Sequence, residues 1–283
     1  MTGGAPAQLL RTWLADGQPA DALAWLDEKA AAIRAGAPER TFFLAYSGAA
    51  RRFPDEPLTL GAAALRDAAR ARDDWNPGGW TARQAARALL MTALPSDDAA
   101  AYTETLDKLF ASADMAEQVA GYQALPILPR PEALVARARE GTRTNITTVF
   151  EAIAHKNPFP RDHFPEDAWN NMVLKALFVG VALAPIIGLD ERANPALMRM
   201  LCDYAHERWA AARTLSPELW RCVGPFADDD ALNDFARVLR DGDENERAAA
   251  ILALRACPRT DAAELLAEHP GADSVSRDWN DFA

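Results

Sequence analysis

The sequence is poor in β-branched residues: Val and Ile together supply 16 of its 283 residues, whereas Ala alone supplies 61. Strands favour β-branched side chains, and helices tolerate Ala best. This balance excludes a parallel sheet or a β-sandwich and predicts an all-α protein. Hydrophobic residues at 49% and charged residues at 25% are typical of a folded chain that buries a sizeable core.

Cysteine is also scarce. Cys202, Cys222 and Cys257 form no C-x-x-C pair, which excludes a disulfide framework and a structural zinc site and favours a reducing compartment. The first residues contain no basic segment followed by a continuous apolar run. We therefore expect no secretory signal and a cytoplasmic location.

Long apolar runs and an excess of basic charge are absent too. The longest apolar run, Ala176 to Ile187, contains Gly180 and Pro185 and is too short to span a bilayer. It predicts the end of a buried helix and the segment that leaves it. With 30 Lys and Arg against 41 Asp and Glu, the formal net charge is −11. Because a nucleic-acid partner requires a positive surface, we expect neither a membrane span nor nucleic-acid binding.

Signature motifs of catalysis are missing as well. The sequence contains no G-x-G-x-x-G, no Walker lysine loop and no G-x-S-x-G elbow. His206-Glu207 begins like a zinc-protease motif, but Ala210 stands where the second histidine is needed. A metal between His155 and His163 is the weaker alternative to two solvated side chains. We therefore expect no cofactor and no bound metal.

One acidic cluster, Asp228-Asp229-Asp230 with Asp234, permits two interpretations. Its spacing is similar to that of the magnesium-diphosphate sites of helical terpenoid enzymes. Acidic residues at a helix start also cap free N–H groups and complement the helix dipole. We favour the capping role because no second acidic cluster faces this one.

Segments of about 10–20 residues with helical apolar periodicity alternate with short segments that contain Pro, Gly or Asp. This pattern predicts about thirteen or fourteen helices. Residues 232–266 are typical of paired antiparallel helices of the HEAT kind, which need neighbours to cover their apolar faces. We predict one continuous, irregular α-solenoid. It comprises an N-terminal helical region (1–114), a motif-bearing core (115–226) and C-terminal HEAT-like pairs with a tail (227–283).

Local signals define several helix starts and one loop. Thr81 with Gln84 predicts a capping box. Asn194-Pro195 and Ser216-Pro217 each predict a capping side chain followed by Pro at the first helical position. We predict a loop between Trp75 and Trp80. Two tryptophans that flank a loop more commonly anchor it to the core than form a surface patch.

A long helical pattern from Pro131 to Ala154 is weakened in its middle. Gly141 and Arg143-Thr144-Asn145 lie there, and Gly, Thr and Asn are poor helix formers. We predict a turn between two helices at this point. The alternative is a site whose freed donors bind an anion or a carbonyl.

Lys175 lies in a predicted helix that is apolar nearly all round. An ammonium buried there needs a carboxylate or carbonyl groups to offset its desolvation. The candidate carboxylates are Glu151, Asp203 and Glu207. A catalytic base or Schiff-base amine is possible chemistry for such a lysine. We favour a structural ion pair because no cofactor motif accompanies it.

Five segments in this order together resemble the EboA family. They are Thr142-Arg143-Thr144-Asn145, Asn157-Pro158-Phe159-Pro160, Trp169-Asn170-Asn171-Met172-Val173-Leu174-Lys175-Ala176, Gly188-Leu189-Asp190-Glu191-Arg192-Ala193-Asn194-Pro195 and Asp203-Tyr204-Ala205-His206-Glu207-Arg208. The likeness covers mainly residues 115–226. Phe159 replaces the family's usual Tyr, which removes a phenolic hydroxyl at that position.

The resemblance implies a context more than a mechanism. EboA-like proteins are encoded in bacterial and algal-plastid gene clusters that make or export a secondary metabolite, and the likeness assigns no catalytic residue. The matching positions are candidates for binding a ligand or partner. They are Arg143, Asn145, Asn157, Trp169, Asn170, Lys175, Asp190, Arg192, Asp203, Glu207 and Arg208.

Three functional hypotheses follow. The leading one is a non-catalytic helical scaffold or adaptor that binds protein partners of the same metabolite pathway. The second is a small-molecule site, with or without catalysis, around Lys175, Asp203 and Glu207, which would take an intermediate of the pathway. The third is a magnesium-dependent terpenoid enzyme that uses Asp229, Asp230 and Asp234.

Overall fold

The structure is a computed structural model that describes residues 4–269 and 271–282. Within these ranges the chain forms α-helices, short 3-10 helices and an isolated bridge between Pro57 and Thr81, so the all-α prediction is confirmed. The α-helices are Gly4–Ala15 (α1), Ala20–Arg34 (α2), Glu39–Gly48 (α3), Ala62–Ala71 (α4), Ala82–Thr92 (α5), Ala99–Ser112 (α6), Met115–Ala124 (α7), Pro131–Gly141 (α8), Thr147–Ala154 (α9), Phe159–His163 (α10), Glu166–Val179 (α11), Pro195–Ala210 (α12), Asp229–Asp241 (α13), Glu244–Ala256 (α14) and Thr260–Glu268 (α15).

The described residues also form six 3-10 helices. They are Ala49–Arg51, Leu125–Ile127, Pro217–Cys222, Gly224–Phe226, Ala272–Ser274 and Trp279–Phe282. Within the described ranges no helix is long and apolar enough to cross a membrane. The chain divides into two compact units, with the boundary between Phe164 and Pro165. The predicted three-region division stays a prediction.

Helix α5 forms the centre of the first unit. Eight of its eleven residues are buried, and it packs against α1, α2, α3 and α7. Thr81 and Gln84 form the predicted capping box at its start, with each side chain bonded to the other's backbone N–H. Small alanines let neighbouring helices approach α5 closely, so a core forms from this Ala-rich sequence.

The loop before α5 is anchored as predicted. The side chains of Trp75 and Trp80 are buried and their rings lie 6.0 Å apart. Leu58 donates its N–H to the carbonyl of Trp80 at 2.8 Å. This pairing holds the residues around Leu58 extended. The apolar pattern of the sequence starts at Leu58, but α4 begins at Ala62, so the pattern overestimates the length of this helix.

The predicted break between Pro131 and Ala154 is confirmed, because α8 ends at Gly141 and α9 begins at Thr147. The two prolines of Asn157-Pro158-Phe159-Pro160 favour a turn, whereas α10 begins within this segment at Phe159. The Asn157 side chain accepts from the N–H of Phe159 at 3.0 Å and so initiates this short helix. A five-residue helix has too few positions to show a helical period.

In the second unit, helix α11 ends at Val179 because Gly180 adopts a left-handed φ of +72°. The apolar pattern of the sequence continues to Ala184, so it overestimates the length of this helix. Asn194 caps α12 as predicted and accepts from the N–H of Leu197 at 2.9 Å. Ser216 makes no cap bond and the segment after it is a 3-10 helix, so that part of the prediction is wrong.

Helices α13 and α14 pack against each other across a turn at Gly242. Arg259, which follows α14, pairs with Asp229 at the start of α13 at 2.5 Å. The two helices are therefore antiparallel, as expected for this pair. The solenoid arrangement remains a prediction.

Candidate functional site

An open pocket of about 350 Å³ lies between α11 and α12 in the second unit. Its side chains come from one stripe of α11 at helical spacing, from one stripe of α12, and from the residues after α12. We call it the Lys175 pocket. Its lining residues are Asn171, Leu174, Lys175, Phe178, Tyr204, Glu207, Arg208 and Arg213.

The Lys175 pocket combines apolar surface with positive charge. Phe178 is 71% exposed, and the Arg208 guanidinium lies 5.9 Å from the centre of the Tyr204 ring. Arg208 is held in place because its Nε and Nη2 donate to the carbonyl of Thr214 at 2.9 and 2.6 Å. Such a surface is complementary to an organic anion with an apolar body, which would gain both ion pairing and burial.

Lys175 itself is half-buried. Helix α11 exposes Asn171 and Phe178 on the same stripe. Leu174 and Phe178 line an open pocket although the sequence pattern around them is apolar, because periodicity alone does not distinguish a pocket wall from a core face.

The three carboxylates proposed as partners of Lys175 are placed differently. Glu207 lines the same pocket as Lys175. Asp203 is exposed on α12 and does not belong to the pocket lining, whereas Glu151 lies in the first unit. Of the three, the structure brings Glu207 together with Lys175.

Asn170 and Asn194 join α11 to the start of α12. Asn170 is 3% exposed. Its Nδ2 donates to Asn194 Oδ1 at 3.2 Å, and Asn194 Nδ2 donates back at 2.9 Å. Asn194 also caps α12, so a single amide pair fixes where that helix begins. These contacts indicate a positioning role for Asn170.

Two further candidate pairs lie on the loop between α11 and α12. The Arg192 guanidinium lies 4.8 Å from the ring centre of Trp169, which is fully buried. Asp190 accepts two bonds from Arg221 at 2.7 and 2.8 Å. Both contacts hold this loop, since a bidentate Arg–carboxylate pair and a cation–π contact fix side-chain orientation.

The remaining candidates lie in the first unit. Arg143 is exposed and pairs with Glu140 at 3.0 Å, and Asn145 is exposed in the same α8–α9 turn. Asn157 is buried and its Nδ2 donates to the carbonyls of Tyr122 and Ala152. Arg143 and Asn145 therefore lie at the surface, whereas Asn157 organises the backbone.

A second pocket, of about 390 Å³, lies within the first unit. Its walls come from the loop at residues 76–80, from α7, from α9 and from the segment at residues 155–157. We call it the loop pocket. Sequence analysis singled out its loop and Asn157 separately, and the fold places them at the same cavity.

His206 and Asp234 form an interhelical pair between α12 and α13. His206 Nε2 lies 2.7 and 2.8 Å from the two carboxylate oxygens of Asp234. Burial raises the pKa of Asp234, and the hydrogen bond from His206 opposes that rise. One turn before His206, Cys202 is buried, and burial raises the pKa of its thiol to about 12. A protonated thiol is a poor nucleophile, so this trio does not provide activated-cysteine chemistry.

Asp228, Asp229 and Asp234 of the acidic cluster each contact a different group. Asp228 caps α13 and accepts from the N–H of Ala231 at 3.1 Å. Asp229 pairs with Arg259, and Asp234 pairs with His206. Over residues 4–269 and 271–282, no group of three or more His, Cys, Asp or Glu side chains is placed to hold a metal ion. The capping interpretation fits Asp228.

Sequence reasoning missed Leu174, Phe178, Tyr204 and Arg213 as parts of the Lys175 pocket. The signal was present at helical spacing, because Phe178 follows Lys175 by three residues and Tyr204 precedes Glu207 by three. What the sequence lacks is the packing of α11 on α12, which turns the two stripes toward a common opening.

These features define an all-α protein with a pocket within each of its two units, one rimmed by cationic side chains and one lined by polar groups. The chain belongs to the EboA family: the family model described as metabolite traffic protein EboA matches residues 6–224. The resemblance noted in the sequence is confirmed, and the match continues from residue 115 toward the N-terminus as far as residue 6. No curated protein and no solved structure matches the chain.

Proposed function

We propose that the chain is a cytoplasmic metabolite-binding protein that takes an amphiphilic organic anion into the Lys175 pocket. One observation carries the proposal. Three cationic side chains, Lys175, Arg208 and Arg213, surround this pocket with one carboxylate, Glu207, in a chain whose net charge is −11. The family description, metabolite traffic, supports a role in handling metabolites.

The pocket's chemistry supports binding and carriage over catalysis. Leu174, Phe178 and Tyr204 offer apolar surface for the body of a ligand, and the cationic groups offer ion pairs to its carboxylate. Arg208 is already oriented by Thr214, so less conformational entropy is lost when a ligand binds. The proposed role is to hold the metabolite between the proteins that make and use it.

The first test compares two probes that differ only in charge. We expect 3-phenylpropanoate to bind, and its neutral amide to bind at least about tenfold more weakly, because the amide lacks the ion pair. Isothermal titration calorimetry of the full chain measures both affinities. Equal affinity of the two probes would contradict an anion site.

Matched variants locate the binding. Lys175→Met and Phe178→Ala should each weaken binding of 3-phenylpropanoate, whereas Arg199→Ala should leave it unchanged. Arg199 is exposed on α12 but does not line the pocket, so it controls for a general loss of positive charge. An equal loss in all three variants would place the probe elsewhere.

The adaptor hypothesis is the second candidate. It is favoured by large apolar side chains exposed in the first unit: Leu44 is 60% exposed and Met115 is 53% exposed. Affinity purification from native cells, with mass spectrometry of proteins and of retained small molecules, separates the two functions. A stoichiometric protein partner lost in Leu44→Lys supports the adaptor, and a retained organic anion lost in Lys175→Met supports the carrier.

A further inference from the structure

One wall of the loop pocket is almost bare backbone. Asn76 Oδ1 accepts from the N–H of Gly78 at 2.9 Å, which closes a tight turn. Gly79 follows with φ +89°, a conformation that disfavours other residues. Trp80 then returns the chain to the core. Gly79 leaves open space beside its peptide group, because nothing lies within 4 Å of a Cβ placed there.

The facing wall carries charged and hydroxyl groups. Thr148 and Glu151 lie one turn apart on α9, and Lys156 follows the end of that helix. Lys156 has φ +51°, an uncommon conformation for a residue with a side chain. Asn157, bonded to three backbone groups, holds this turn in shape.

A buried acceptor completes the cavity. Gln123 belongs to the pocket lining, and its Oε1 is buried without a hydrogen-bond partner within the described part of the chain. An unsatisfied buried oxygen is costly in free energy. A turn of the Gln123 side chain toward the cavity would let a ligand donate a hydrogen bond to this oxygen and remove that cost.

We propose that the loop pocket is a second ligand site, built for a small polyhydroxylated molecule such as a monosaccharide or a polyol. Glu151 and Lys156 balance each other in charge, in contrast to the cationic Lys175 pocket. Acceptors and donors are both present, and a hydroxyl group both donates and accepts. A volume of about 390 Å³ is ample for such a molecule.

The test uses the full chain with three hydroxylated probes, glucose, ribose and myo-inositol, and with alanine as a small zwitterion. Saturation-transfer NMR and calorimetry measure binding. We expect at least one hydroxylated probe to bind saturably and to raise the Tm, and alanine to bind at least about tenfold more weakly. The proposal is overturned if no hydroxylated probe binds at about 10 mM, or if alanine binds equally well.

Gln123→Leu separates a binding role from a structural one. It removes an unpartnered buried oxygen, so the Tm of the unliganded protein should stay equal or rise while hydroxylated-probe affinity falls about tenfold. Lys175→Met is the control and should leave that affinity unchanged. Binding that survives Gln123→Leu overturns the assignment, and loss of 3-phenylpropanoate binding in Lys175→Met reports independently on the other pocket.

Discussion

Asn170 shows how one polar side chain can matter more for position than for contact with a ligand. Asn170 is buried, whereas the adjacent Asn171 is exposed. The sequence alone does not distinguish these two asparagines. Only Asn170 meets Asn194, the residue that caps α12. Both lie in a segment that carries the family resemblance. Only the packing shows that Asn170 is the one that positions the start of α12.

We expect Asn170→Ala to lower the free energy of unfolding by about 1–2 kcal/mol, because it removes both hydrogen bonds between the buried Asn170 amide and Asn194. Urea unfolding followed by circular dichroism measures the change. Asn171→Ala is the matched control and should change stability by less than about 0.5 kcal/mol. Equal losses in the two variants would show that the amide pair is unimportant.

Asp234 gives a prediction with a definite pH dependence. Burial raises its pKa above the usual carboxyl range. A carboxyl whose pKa is higher in the folded chain favours folding while protonated, and that contribution is lost as the pH rises through the raised value. Asp234→Asn stays neutral, so its stability relative to the natural chain should increase from about pH 4 upward.

Unfolding in urea at several pH values between about 4 and 7 measures this difference. Asp16→Asn is the control, because Asp16 is exposed. A difference between Asp234→Asn and the natural chain that does not vary with pH would contradict the sign given above.

At the scale of elements, the segment Gly224–Phe226 shows why glycine is required at one packed position. A Cβ on Gly224 would lie 2.2 Å from the carbonyl oxygen of Ala253 on α14. The two backbones therefore meet without an intervening side chain. Cys222 and Trp220, just before this point, are fully buried.

We expect Gly224→Ala to destabilise the protein by about 2 kcal/mol or more, because the added methyl group forces α14 away from this segment. Gly17→Ala is the control, since nothing lies within 4 Å of a Cβ there, and it should be neutral or stabilising by up to about 1 kcal/mol. Thermal unfolding measures both, and a neutral Gly224→Ala would show that α14 can move freely.

For the whole molecule, the relation between the family match and the second unit is informative. The match ends at Gly224, whereas α14 packs against Pro217–Cys222 and Gly224–Phe226. Helix α14, which lies beyond the family match, therefore covers residues that lie within it. Trp220, which is fully buried, lies 5.1 Å from the ring of Phe235 on α13.

Truncation after Ala227 should consequently unfold part of the second unit. We expect Trp220 to become exposed because α13 and α14 supply its cover, while the first unit keeps its own core around α5. Hydrogen exchange with mass spectrometry localises the change. Protection retained over residues 195–223 in the truncated chain would show that the C-terminal helices are dispensable.

The sequence determined the features that depend on neighbours along the chain. An Ala-rich, β-poor composition gives an all-α protein, Thr81 with Gln84 gives a capping box, and Asn194 gives a helix start, because propensity and capping act within one turn. The break at Gly141 and the family likeness were also evident from the sequence. Both were confirmed.

Only the tertiary structure decided which side chains share a pocket. Lys175 and Glu207 are 32 residues apart in the sequence, and α11 must pack on α12 before they line one opening. The loop after Trp75 and Asn157 meet in the same way at the loop pocket. Helical periodicity shows that a stripe is apolar, but the packing of other helices determines whether that stripe is covered or left open.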